Sequence, residues 1–114
     1  MPFLRIETNQ HLEADRRSSL LAAASAGVAS LLGKPERYVM VSLVHNPDML
    51  FAGGAEPLAY LELKSIGLPR AHTADLSAAL CALMDEHLGV PADRVYIEFA
   101  DAERPLWGWD GATF

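Results

Sequence analysis

Pro2 is the residue with the most chemistry to offer. If Met1 is removed, which a small second residue permits, the chain begins with a secondary amine on a rigid ring. Such an amine is a base or nucleophile whenever its pKa leaves it neutral. An α-amino group starts near about 7.7–8.0, and apolar neighbours such as Phe3, or a nearby lysine, would disfavour the cation and lower that value. The plainer alternative is that Pro2 opens an edge strand, where its missing N–H does no harm. With Met1 retained its nitrogen is an amide and the base is gone. Lys34 follows the first helix, where it reads as a cation near that helix's negative end. Tyr96 is either a core residue with a satisfied hydroxyl or a hydrogen-bond donor in a pocket. Trp107, Trp109 and Phe114 gather aromatic surface near the end of the sequence. Gly108 and Gly111 permit close backbone approach there, so the segment walls an apolar cleft or caps a sheet edge.

Other chemistries find little support. His11, His45, His72 and His87 show no i,i+4 pairing and no carboxylate spacing of a metal site, so no metal is expected. A lone Cys81 rules out an internal disulfide framework and a Cys-rich zinc site. Phe51-Ala52-Gly53-Gly54 reads as a turn, lacking the Lys-Ser/Thr of a phosphate loop. With 9 Lys+Arg against 15 Asp+Glu, the net charge is −6, which offers nucleic acid or an anionic membrane no basic face. No run approaches the about 18 apolar residues of a membrane span, and Met-Pro-Phe-Leu-Arg-Ile-Glu is not a signal peptide. A cytoplasmic, reducing compartment is the expectation. A chain of 114 residues that is 51% hydrophobic fits one domain, 1–114, with a real core.

The elements that must position these residues come as a repeat. Pro2-Phe3-Leu4-Arg5-Ile6-Glu7 overlays Pro57-Leu58-Ala59-Tyr60-Leu61-Glu62, and Leu32-Gly33-Lys34-Pro35 with Val39 and Val41 overlays Leu88-Gly89-Val90-Pro91 with Val95 and Ile97. The halves are about 1–56 and 57–114, each reading as strand, helix, strand. Strands are predicted over 2–8, 38–44, 57–65 and 95–99 from β-formers and alternation. Leu20, Leu21, Ala24, Val28, Leu31 and Leu32 recur at helical spacing, as do Leu76, Leu80, Leu83 and Leu88. Both helices stop at Leu-Gly-x-Pro, where Gly takes the left-handed conformation and Pro blocks continuation. Thr73 is the expected N-cap of the second helix, with Asp75 in its first turn. Doubling the unit gives an α+β fold: a four-stranded mixed sheet with two helices on one face. Strand 38–44 is apolar on both faces, so a partner subunit is expected to supply the missing layer.

Taken together, these motifs resemble the macrophage migration inhibitory factor family of tautomerases. Met-Pro at the start, Gly33-Lys34-Pro35, Ser65-Ile66-Gly67, Asp93-Arg94-Val95-Tyr96-Ile97, and Gly108-Trp109 with Thr113-Phe114 occur in that family's order over the whole length. The resemblance implies a homotrimer with three active sites at subunit interfaces, catalysing keto–enol tautomerisation of phenylpyruvate-like α-keto acids without metal or organic cofactor. It implies that Pro2 is the catalytic base, that Lys34 pairs with a substrate carboxylate, and that the Ile66 backbone helps orient the substrate. Tyr96 would come from the adjacent subunit, and Trp109 and Phe114 would line the cleft. Export without a signal peptide, known among family members, remains compatible with this reading.

Three departures from the family pattern bear on function. Leu58 and Leu61 stand where mammalian members carry Cys-x-x-Cys, so thiol–disulfide activity should be absent. Glu98 stands where an Asn is usual: ionised, it would repel a substrate carboxylate and raise the Pro2 pKa; protonated, it would be a donor. Trp107 replaces a smaller aliphatic residue and narrows the pocket. Beside the enzyme stand two other readings, a trimeric cytokine-like or protein-binding module with vestigial activity, and a ferredoxin-like domain that binds a metabolite without turning it over.

Overall fold

Alternation of apolar side chains decides which side of the sheet is dry. In the first strand, β1 (Phe3–Thr8), Leu4, Ile6 and Thr8 are buried while the residues between them are not. The computed structural model describes residues 1–114 and continues in chain order with α1 (Ala14–Leu32), β2 (Met40–His45), β3 (Ala59–Ile66), α2 (Thr73–Leu88) and β4 (Val95–Ala102). In β3 Ala59, Leu61, Leu63 and Ser65 repeat the one-sided pattern of β1. Leu20, Ala24 and Val28 of α1, and Leu76, Leu80, Met84 and Leu88 of α2, join these strand residues in one cluster. Both helices therefore lie on the same side. Truncating a central member such as Leu80 to Ala would cost about 2–5 kcal/mol.

The sheet order is β2-β1-β3-β4. β1 runs parallel to β2 and antiparallel to β3, and β3 runs parallel to β4. Each parallel pair is joined through a helix, so the sheet is two strand–helix–strand units meeting along the antiparallel β1–β3 seam. The duplication extends to the turns. Gly33 and Gly89 end the helices at φ 62 and 67. Pro35 and Pro91 then each lead into a single 3₁₀ turn, Glu36–Tyr38 and Ala92–Arg94. After α1 the backbone N–H of Gly33 donates to Ser30 at 3.3 Å and that of Lys34 to Ala29 at 2.9 Å. This pairing satisfies two carbonyls the helix end would otherwise leave open.

The other side of the sheet carries Arg5, Glu7, Tyr60, Glu62, Lys64, Tyr96 and Glu98, with Met40 and Val44 exposed on the β2 edge. No helix of the chain covers it; the loop around Phe51 packs on Tyr96 at one end. β2 and β4 are edge strands whose outer rims have no pairing partner within the chain.

Some boundaries differ from expectation. The second strand begins at Met40, because the 3₁₀ turn following Pro35 takes up Tyr38. The fourth strand runs on to Ala102. Thr73 is not the N-cap: His72 holds that position without a side-chain cap bond, and the Thr73 hydroxyl donates to the Arg70 carbonyl at 3.1 Å instead. A 3₁₀ turn over Arg70–His72 leads directly into the helix and moves its start back. Leu31, counted in the apolar stripe of α1, is turned toward solvent. No helix is long and apolar enough to cross a membrane.

Candidate functional site

Three stretches of chain converge at one end of the sheet: the start of β1, the turn after α1, and the C-terminal segment. They enclose a cleft of about 420 Å³. Pro2, Phe3 and Met1 form one wall. Pro2 is buried and its carbonyl accepts the Met40 backbone N–H at 3.0 Å, which locks the beginning of β1 beside β2. The terminal amine, here that of Met1, is held below its ordinary value of 8.0, first by burial and then by the positive charge of Lys34. Both causes favour the neutral base.

The opposite wall is aromatic. A short hairpin, β5 (Gly108–Trp109) with β6 (Ala112–Thr113), turns through Asp110 and Gly111, both at positive φ. An Asp-Gly pair suits this left-handed two-residue turn because neither residue clashes badly there. The Phe114 N–H donates to the Trp107 carbonyl at 3.2 Å and closes the hairpin base. Trp109 and Phe114 stack at 5.3 Å, and the Tyr38 ring meets both edge-on at 5.5 and 5.7 Å. The cleft is thus an aromatic-walled slot leading to Pro2, with Met40, Lys64 and Arg37 completing its lining.

Of the expected site residues, the chain brings Pro2, Trp107, Trp109 and Phe114 together. Lys34 lies just outside the lining, in the turn that closes α1, and reaches the amine by its charge. Ile66 ends β3, two residues beyond Lys64 and on the same side of the sheet. Tyr96 and Glu98 are elsewhere. In register they pair with Tyr60 and Glu62 on β3, whereas Phe3 pairs with Lys64. Tyr96 is therefore displaced four residues along β3, about 13 Å at ~3.3 Å per residue, and two strands across. It packs at 4.7 Å against Phe51 beside a second cavity of about 330 Å³, lined by hydrophobic residues that include Leu50 and Met49. Glu98 accepts a hydrogen bond from the Tyr60 hydroxyl at 2.8 Å. That bond, with lesser contributions from burial and the charges of Glu98 and Glu62, raises the Tyr60 pKa to about 12. Tyr60 therefore remains the donor, and Glu98 serves it as an acceptor.

Tyr38, Arg37 and Lys64 were missed by sequence reasoning. Tyr38 passed for the opening residue of a strand. Lys64 alternates with buried Leu63 and Ser65, so its side was predictable, but its neighbour Phe3 is known only from the β1–β3 register. The Asp110-Gly111 pair was the overlooked signal for the hairpin that orients both tryptophans.

Comparison with known proteins follows the same architecture. The family model described as macrophage migration inhibitory factor matches residues 1–114. A macrophage migration inhibitory factor homolog of Brugia malayi is 38% identical, with 100% of this chain and 99% of that protein covered. The Rattus norvegicus macrophage migration inhibitory factor is 34% identical over the same shares. The crystal structure of a homologue from Prochlorococcus marinus superposes with a TM-score of 0.92 at 45% identity, over 98% of each chain.

Proposed function

Because the chain belongs to the macrophage migration inhibitory factor family, we propose that it is a keto–enol tautomerase acting on phenylpyruvate-like α-keto acids, with Pro2 as general base after Met1 is removed. The observation that carries this reading is the buried Pro2 at the end of an aromatic slot, where burial and Lys34 already keep a terminal amine toward its neutral form. Removing Met1 transfers the amine to Pro2 and vacates the part of the slot that Met1 lines.

The neutral Pro2 nitrogen takes a proton from the carbon beside the substrate carbonyl. The electron pair of that C–H bond becomes the enol double bond, and the carbonyl oxygen gathers negative charge. Lys34 holds the substrate carboxylate, the Ile66 backbone orients it, and the wall of Trp107, Trp109 and Phe114 packs against its ring. The proton returns to oxygen to give the enol, and the reverse path gives the keto acid. A donor at the developing oxyanion is still required. Tyr96 fills that role in a homotrimer, where the open sheet face and the apolar surface of Leu50, Met40 and Tyr96 are covered by neighbours. Within one chain Tyr96 is too far from Pro2, which supports a shared site.

The test combines an intact mass, to establish the N-terminal residue, with an assay of phenylpyruvate tautomerisation over pH. Turnover by chains starting at Pro2, lost in Pro2→Gly with assembly intact, is the expected result. Turnover that survives Pro2→Gly would refute the base. Full turnover with Met1 still attached would refute it equally. A Pro2→Gly variant that still performs its role in the native setting would favour the cytokine-like or protein-binding module.

A further inference from the structure

The cleft inverts the charge of the molecule around it. The chain carries a net charge of −6, yet Arg37 and Lys64 line the slot, Lys34 acts on its amine, and no Asp or Glu is among the lining residues. One carboxylate of an α-keto acid needs one cation, which leaves a surplus. Resting on the tautomerase reading above, we infer that the preferred substrate is dianionic: an α-keto acid whose far end bears a second carboxylate, received by Arg37.

Arg37 is the lining cation with a free hand. Lys64 already lies 3.6 Å from Glu62, whereas Arg37 enters no ion pair. Its guanidinium sits over the Tyr38 ring at 4.7 Å, a contact that holds the planar fork in place. Tyr38 in turn is braced edge-on by Trp109 and Phe114. The fork is thereby tied to the same aromatic wall that would stack the substrate's ring. A guanidinium presented in this way suits a carboxylate, which it can bind through two parallel N–H···O bonds. The lysines have separate work. Lys34 takes the carboxylate beside the reacting carbonyl. Lys64, opposite Phe3 in the β1–β3 register, adds positive potential on the Pro2 side that Glu62 only partly cancels. With Glu62 beside Lys64, a Glu98 contributed by a neighbouring copy would be a second anion against three cations and would leave the balance positive.

The experiment compares phenylpyruvate with its 3- and 4-carboxy derivatives in kcat/KM, using the mature assembled protein and its Arg37→Gln variant. In parallel, binding of cinnamate and of 3- and 4-carboxycinnamate, planar mimics that do not tautomerise, is followed by tryptophan fluorescence. A preference of about tenfold for one of the dianions is expected, lost in Arg37→Gln and weakened by salt. The KM of the dianion should carry most of that loss, with its kcat moving less. Turnover of phenylpyruvate with no preference for either dianion would overturn this inference and leave the tautomerase reading intact. A preference that survives in Arg37→Gln would overturn it as well. No turnover of any keto acid, but selective binding of a carboxycinnamate that needs Arg37, would sink the tautomerase reading and leave the dianion site standing. Neither turnover nor selective binding would sink both.

Discussion

The two half-units use the same turn for opposite purposes. After α1 the chain reads Lys34-Pro35-Glu36-Arg37-Tyr38-Val39, and after α2 it reads Val90-Pro91-Ala92-Asp93-Arg94-Val95, with the same left-handed glycine and the same 3₁₀ turn. In the first copy Arg37 and Tyr38 line a cleft, and Lys34, just outside it, acts by its charge on the amine there. In the second copy Val90, the counterpart of Lys34, is wholly buried in the core. Arg94, the counterpart of Tyr38, donates to the carbonyls of Pro57, Phe51, Gly54 and Glu56 at 2.9–3.2 Å. It fastens the loop ahead of β3. Pro57 is the internal echo of Pro2, but its nitrogen lies within the chain and is an amide. A duplicated scaffold can hold one copy rigid by spending its polar groups inward, and leave the other free to meet a ligand.

Making the first copy more like the second should abolish its chemistry. Placing Gly-Ser ahead of Pro2 turns its nitrogen into an amide, as in Pro57. A loss of about 10²–10⁴-fold in kcat/KM is expected, the usual worth of a positioned general base. Steady-state kinetics on the extended protein, with assembly checked by light scattering, decides it, and retained activity would refute the assignment.

Breaking the second copy should instead destabilise the molecule. Arg94→Met removes four donors from loop carbonyls and is expected to cost about 2 kcal/mol, roughly 10 °C in the thermal midpoint. Urea and thermal melts measure this, and an unshifted midpoint would show that the loop holds without its clamp.

Lys34→Val copies Val90 into the first turn. It should lower kcat/KM for phenylpyruvate by about tenfold through loss of a charged hydrogen bond. It should also move the pH profile. In the proposed mechanism the neutral amine is the active form, and Lys34, which lowers the pKa of the Met1 amine, acts the same way on the Pro2 amine once Met1 is gone. Without it the pKa rises, less base is neutral at a given pH, and the ascending limb shifts to higher pH. A limb that stays in place would mean that burial alone sets the amine.

The smallest expected effect concerns β4. Glu98→Asn removes an anion from the strand that, in the proposed trimer, serves a neighbour's cleft, and kcat/KM for phenylpyruvate should rise by up to about fivefold, the scale of an exposed charge pair. Identical kinetics would place Glu98 away from the reacting molecule.

How much of this could be read from residues alone follows from the range of each signal. Helices ending at Gly33 and Gly89, alternation in β1 and β3, and the repeat that joins them are local patterns, and these hold in the structure. Pro2, Trp107, Trp109 and Phe114 were recognisable by type, and the chain brings them together. Lys34 was recognisable too, although it acts from outside the lining. The roles of Tyr96 and Glu98 came only through family resemblance, since no local pattern relates one end of β4 to the start of β1. Lys64 and Arg37 depend on strand register and on a 3₁₀ turn. The stretch from Asn46 to Leu58 that links β2 to β3 has no simple hairpin spacing to reveal that register. Thr73 shows the limit at element ends: a capping residue type fell one position inside the helix because a preceding turn already supplied the start.

The uncovered rims of β2 and β4 have a practical consequence at the bench. A row of amide and carbonyl groups beside Met40 or Tyr96 is an invitation for strand-to-strand adhesion between molecules. Variants that cannot form the proposed trimer should lose material to sticking and precipitation before they yield a well-behaved single chain. Rate measurements on this protein therefore need active-site titration at every concentration used.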